Sequence, residues 1–145
     1  MGETLTTIRF AKESDFSACV KFDHPVDSRS VLRTKIGAKE IVLAFEEKEC
    51  VGYLRLEYLW SLIPYIGLIR VKEELRGRGI GTQILQFLEA YLRKKGYRLL
   101  LSSSMVNEAR PQHWHRKMGF EECGVITGLS EEGVGEIFFR KRLGP

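Results

Sequence analysis

Arg76, Gly77, Arg78, Gly79, Ile80 and Gly81 stand in one uninterrupted run, and side chains of these types in this order suit the capture of an anion. Three glycines leave the backbone unobstructed, and two guanidiniums flank it. If a helix begins at this run, its first N–H groups have no intrahelical acceptor and point their dipoles at whatever lies before them, which favours phosphate. Two better-known phosphate loops are excluded. A Walker loop needs a lysine followed by serine or threonine after its glycines, and none follows here. The dinucleotide fingerprint GxGxxG fails because Thr82 and Ile84 occupy the positions where its last glycine would fall. The competing reading is a flexible basic turn whose glycines only break a helix.

The flanking elements favour the anion site. Tyr65 to Val71 is a short, almost continuous apolar run, which predicts a strand covered on both faces. After the turn, Ile80, Ile84, Leu85, Leu88, Tyr91 and Leu92 recur at helical spacing. Glu89 and Arg93 form a favourable i,i+4 pair, Lys94 and Lys95 suit the C-terminal end of the dipole, and Gly96 supplies a stop.

A strand ending at Val71, then Arg76-x-x-Gly79-x-Gly81 opening a long helix, resembles the acetyl-CoA signature of the GCN5-related N-acetyltransferases (GNAT). Downstream, Trp114-His115-Arg116-Lys117-Met118-Gly119-Phe120 is similar to the second signature of that family, in which an apolar residue and a tyrosine precede Gly-Phe. The resemblance extends over essentially the whole chain. It implies an α/β (α+β) fold: a mixed, centrally splayed sheet of six to seven strands flanked by about four helices, forming a single domain over residues 1–145. It also implies transfer of the acetyl group of acetyl-CoA to a primary amine by direct attack in a ternary complex. The amine would belong to a small molecule or to a protein.

The site residues follow from that resemblance. The turn from Arg76 through Gly77, Arg78, Gly79 and Ile80 to Gly81 would hold the pyrophosphate. The backbone of Ile69 and Val71 would pair with pantetheine like an added strand, and the Ile69 N–H would polarise the thioester carbonyl as charge develops on it. Asn107 stands near the family's helix-start asparagine, a further coenzyme contact, although its distance to Gly119 is one residue longer. Where many members carry the tyrosine that protonates the departing thiolate, four residues before the glycine of Gly-Phe, this chain has His115. Histidine donates a proton when protonated; the other reading of His115 is a polar helix residue that packs. His113 falls roughly on the opposite side of the helix, at the surface. An attacking amine must be neutral, which for a lysine-like group costs roughly 4 to 5 kcal/mol at pH 7, so a base or water chain is expected. Glu57, Tyr65 and Glu108 are the candidates.

Composition bounds the alternatives. The chain has 145 residues, a formal net charge of +4, 43% hydrophobic and 29% charged residues, as expected of one soluble domain with its own core. The modest basic excess suits an anionic ligand, and a basic nucleic-acid-binding domain, which would not need this glycine turn, is the less favoured reading. A catalytically silent acyl-CoA-binding module of the same fold is the nearer alternative. Cys19, Cys50 and Cys123 are odd in number and far apart, which argues against disulfides and a CxxC metal site, and for reduced thiols. With no signal-peptide pattern and no apolar stretch near about 20 residues, a cytoplasmic protein without a membrane partner or metal is expected, as monomer or homodimer.

The remaining segments complete the order. A strand is predicted at Thr6 to Phe10 and a helix from Asp15 to Phe22. His24-Pro25 interrupts it, and a second helix runs from Ser28 to Ile36. Strands at Ile41 to Phe45 and Cys50 to Leu59 form a hairpin around the charged turn Glu46 to Glu49. In the second of these, Gly52, Leu54, Leu56 and Tyr58 make the more uniformly apolar face. Trp60 to Pro64 reads chiefly as core packing, and otherwise as lining for an acceptor. Tyr97 to Leu101 is a strand parallel to Tyr65–Val71, followed by the polar Ser102 to Ser104. Asn107 begins a helix that Gly119 ends, with Pro111 in its first turn. Glu121 to Ile126 and Gly135 to Arg142 close the chain as a hairpin.

Overall fold

The computed structural model describes residues 4–23 and 29–144. Among them are seven strands and four α-helices: β1 (Thr6–Phe10), α1 (Phe16–Phe22), α2 (Arg29–Gly37), β2 (Ile41–Glu46), β3 (Glu49–Leu59), β4 (Ile63–Val71), α3 (Ile80–Lys94), β5 (Leu99–Met105), α4 (Ala109–Lys117), β6 (Glu121–Ile126) and β7 (Glu136–Arg142). The strands form one sheet in the order β1-β2-β3-β4-β5-β7-β6. The expected mixed sheet with four helices is therefore observed. The break expected at His24-Pro25 and the start of the second helix at Ser28 lie outside the described residues.

The chain divides into two compact units. The first comprises Met1–Leu56 and Leu68–Tyr91. In it β1 runs antiparallel to β2, and β2 to β3. Arg9 on β1 grips both carboxylate oxygens of Asp15, at 2.7 and 3.1 Å, and Asp15 also accepts the Lys12 N–H. The hydrogen bond from Arg9 is the main reason that the Asp15 carboxyl lies below its usual range. The reversal from β2 to β3 passes through Glu47 at φ 56°. Val51 to Leu56 are buried without a break, so both faces of this strand are covered, not only the one carrying Leu54 and Leu56. Arg55 is compensated by Asp23, which accepts its Nε at 2.7 Å and the Tyr53 hydroxyl as well.

Helix α3 packs on this unit by its apolar stripe. Ile80, Ile84, Leu85 and Leu88 are buried, and Phe10 meets Phe87 and Tyr91 edge-on at centroid distances of 5.1 and 4.8 Å. Gly52 permits the approach, because a Cβ there would lie 2.8 Å from Ile84 Cδ1 and 3.2 Å from Ala44 Cβ. Glu89, read in the sequence as the i,i+4 partner of Arg93, is buried.

The second unit comprises Glu57–Gly67 and Leu92–Pro145. Here β4 pairs in parallel with β5 at Tyr65 and Leu101, as the intervening helix predicts. The antiparallel strand β7 follows on the far side of β5, and β6 forms the edge. Three expectations are corrected here. Trp60 and Leu62 are 76% and 69% exposed rather than core, since the chain reverses through Trp60 at φ 54° and Ser61 at φ 60°, turning these side chains outward. Strand β5 also continues through the serines to Met105, with Ser102 and Ser104 buried. Helix α4 starts at Ala109 rather than Asn107, and it ends at the left-handed Gly119, φ 92°.

Candidate active site

In the first unit, the segment from β4 to α3 builds a backbone cradle. Its base is fixed where Lys72 N–H donates to Val51 O at 2.9 Å, and a 3-10 turn over Glu73–Leu75 lifts the chain toward the glycines. Gly77 and Gly79 have φ of +82° and +87°, and a Cβ at either would meet nothing within 4 Å. Glycine is needed there for backbone conformation, not for room. The first α-helical bond of α3 runs from Gln83 N–H to Gly79 O at 3.0 Å, which leaves the Ile80 and Gly81 amides ahead of it without an intrahelical acceptor. Arg76, Gly77, Arg78 and Gly79 are exposed. Ile69 and Val71 sit half-buried on β4 before the turn.

The end of the β2–β3 hairpin braces this cradle. Glu46 faces the Arg78 guanidinium at 3.4 Å, and Glu49 pairs with Lys72. In the sequence these glutamates read only as a charged turn, although two acids at a hairpin end answer two bases around a glycine turn.

In the second unit, Tyr65 from β4 places its hydroxyl 2.6 Å from Ser103 Oγ on β5. Its ring stacks on Phe138 of β7, with centroids 5.9 Å apart and 24° between planes. Glu57 is half-buried on β3, and Asn107 is exposed in the turn after β5. Glu108 takes the N-cap position of α4 without capping it through its side chain.

His115 lies on the other side of β5. It is 3% exposed, flat against Phe139 at a centroid distance of 4.6 Å and 2° between planes. Nδ1 is 2.7 Å from Pro111 O, one turn earlier on α4, and Nε2 is 2.7 Å from Ser102 Oγ. A carbonyl only accepts, so Nδ1 carries the proton and Nε2 of the neutral ring accepts from the Ser102 hydroxyl. Burial pushes the imidazole below its usual range, an effect only partly opposed by the Pro111 carbonyl. Both nitrogens are engaged, and the residue acts as a tether between α4 and β5. Service as the acid that protonates a thiolate would require the Ser102 contact to open. His113 is exposed, as its place on the helix predicts.

The sequence matches the Acetyltransferase (GNAT) family over residues 9–120, from β1 through the cradle to the Gly119-Phe120 pair. The chain belongs to the GNAT family. Solved structures share its fold at low identity. The ribosomal-protein-S18-alanine N-acetyltransferase of Escherichia coli superposes with a TM-score of 0.80 at 15% identity, over 97% of this chain and 96% of that one. Ard1 of Thermoplasma volcanium gives 0.84 at 12% identity, over 97% and 99%. The Salmonella typhimurium protein yncA, solved with its cofactor acetyl-CoA, gives 0.82 at 16% identity, over 97% and 95%. No curated protein matches the sequence. As a GNAT chain it carries, among its described residues, no group of three or more His, Cys, Asp or Glu side chains placed to hold a metal ion, and no helix long and apolar enough to cross a membrane.

Proposed function

We propose that this GNAT protein transfers the acetyl group of acetyl-CoA to a primary amine by direct attack in a ternary complex. The observation that carries the reading is the cradle: two left-handed glycines and the open amides at the start of a long helix, directly after β4. Acetyl-CoA would supply an activated acetyl thioester. The backbone of Gly77 to Gly81 fits its pyrophosphate, with Arg76 and Arg78 adding charge-assisted contacts. Ile69 and Val71 would offer backbone groups to the pantetheine amides, and the Ile69 N–H would steady the developing oxyanion. In the second unit, the paired hydroxyls of Tyr65 and Ser103 present a proton donor and acceptor on one face of the sheet. Glu57 and Glu108 remain further candidates to accept a proton from the amine, and Asn107 a further coenzyme contact.

The engagement of both His115 nitrogens favours a second reading, in which the same fold and cradle serve a catalytically silent acyl-CoA-binding module. Incubation with acetyl-CoA and a mixed panel of amines separates the two. Free thiol appearing together with an acetylated amine supports the transferase; thermal stabilisation by acetyl-CoA without thiol release supports the silent module. The described cysteines are free, which is in keeping with a cytoplasmic setting. The oligomeric state, monomer or homodimer, is open to measurement by sedimentation.

A further inference from the structure

Glu136 is the first residue of β7, and its position is set by the hydrogen bonds that join β5, β7 and α4 around it. Val106 N–H donates to Gly135 O at 2.9 Å, and Gln112 Nε2 donates to Met105 O and Val106 O at 3.1 and 3.0 Å, so the end of β5, the start of β7 and α4 are locked together. Gly135 is packed closely, since a Cβ there would lie 3.3 Å from Val125 and 3.4 Å from Val106. The register pairs Ser103 with Phe138 and Met105 with Glu136. Because side chains two apart on a strand share a face, Glu136 joins Phe138, Ser103 and the Tyr65 stacked on Phe138. Helix α4 meets the opposite face, through His115 on Phe139.

This face has an aromatic wall, a pair of hydroxyls and a half-buried carboxylate. Among the described residues, Glu136 has no ion pair, and the one charged group that perturbs it is another carboxylate, Glu108. A carboxylate taken partly out of water beside a second negative charge and two aromatic rings favours an organic cation, which satisfies the charge electrostatically and the rings by cation–π and apolar contact.

We infer that Glu136 binds the ammonium group of the acceptor amine on the Tyr65–Phe138 face and takes up the proton that the amine must lose before it attacks. The inference rests on the transferase reading and deepens it. The ammonium gives one proton to the Glu136 carboxylate. The freed nitrogen pair forms the N–C bond to the acetyl carbon as the C–S bond breaks, the departing electron pair leaves on sulfur, and the second proton that the acetylated nitrogen sheds passes through water to that thiolate, while Glu136 returns its own proton to solvent. Burial first, and Glu108 second, raise the Glu136 carboxyl above its usual range, which makes it a stronger base than an exposed glutamate.

The test uses the full chain with saturating acetyl-CoA and phenethylamine, whose ring and ammonium match the face. Glu136→Gln is expected to lower kcat/KM for the amine by about 10²-fold, to remove the acid limb of its pH profile, and to leave acetyl-CoA affinity unchanged. A kcat/KM within about threefold of wild type, or a loss matched by an equal loss of acetyl-CoA affinity, would overturn it. A second measurement does not depend on turnover: carbon NMR of the Glu136 carboxyl during phenethylammonium titration. A shift of that resonance without turnover would defeat the transferase reading and keep the ammonium site, whereas an unmoved resonance in wild type would defeat the site itself.

Discussion

The guanidinium of Arg78, in the glycine turn, lies 3.4 Å from the carboxylate of Glu46 at the end of β2. Arg78 is half exposed while the Glu46 side chain is 13% exposed, so the acid is the fixed partner and the arginine is the one being oriented. A guanidinium has five N–H donors and can hold a carboxylate and a phosphate oxygen together.

If Arg78 is oriented for phosphate, Arg78→Ala should weaken acetyl-CoA by about 1.5 to 3 kcal/mol while weakening a pantetheine thioester without phosphates much less. The melting temperature should move little, since a single pair at 3.4 Å whose arginine is half exposed contributes only about 0 to 1 kcal/mol. Calorimetric titration of both thioesters checks this; equal losses would mean that the arginine only supports the fold.

Gly79 is at φ +87° with open space around its missing side chain. Gly79→Ala should therefore cost about 1 to 2 kcal/mol through backbone conformation alone, with no clash to relieve. The amides of the turn would shift as the strain relaxes, so acetyl-CoA should stabilise the variant less than it stabilises wild type. Denaturant unfolding with and without acetyl-CoA measures both effects.

At Gly52 the expectation differs, because space rather than conformation is limiting. Gly52→Ala would set a methyl 2.8 Å from Ile84 Cδ1 and should destabilise by about 1 to 3 kcal/mol. Adding Ile84→Val removes the offending atom and should recover part of the loss. A double-mutant cycle with no coupling between the two sites would contradict the packing of α3 on β3.

His115 makes a prediction in pH. Its folded pKa lies below the ordinary 6.5, so near and below that value the unfolded chain binds more protons than the folded one. Stability is thus fully present above about pH 6.5 and falls as the pH drops through the lowered folded pKa. Asp15, also lowered, acts only below its own ordinary value of 3.8, so the two windows are separate. Melting temperatures of wild type and His115→Phe between about pH 7.5 and 5 should converge on acidification. Parallel curves would show that the imidazole carries no such linkage.

These sites differ in how far the sequence discloses them. The Val71-to-Gly81 turn is legible because glycines, arginines and the change from an apolar run to helical spacing coincide, and β1 and β6 have the predicted limits. The serines of β5 mislead, because Ser102 is polar by composition yet buried by its hydrogen bond to a histidine 13 residues on. A pairing over that distance leaves no local pattern. Trp60 misleads in the opposite sense: left-handed backbone at Trp60 and Ser61 needs neither glycine nor asparagine here, so nothing marks the turn that exposes the indole. Glu136 reads as one more charged strand residue until the register sets it beside Phe138 and Tyr65.

The central claim is that the cradle holds acetyl-CoA for transfer to an amine. Mass spectrometry of a primary-amine panel incubated with acetyl-CoA and the protein, with thiol release followed in the same samples, tests it most directly. At least one amine is expected to gain one acetyl group, with free CoA formed in equal amount and both formed about 10²-fold more slowly in Glu136→Gln. Acetyl-CoA that binds and stays intact across the whole panel would contradict it.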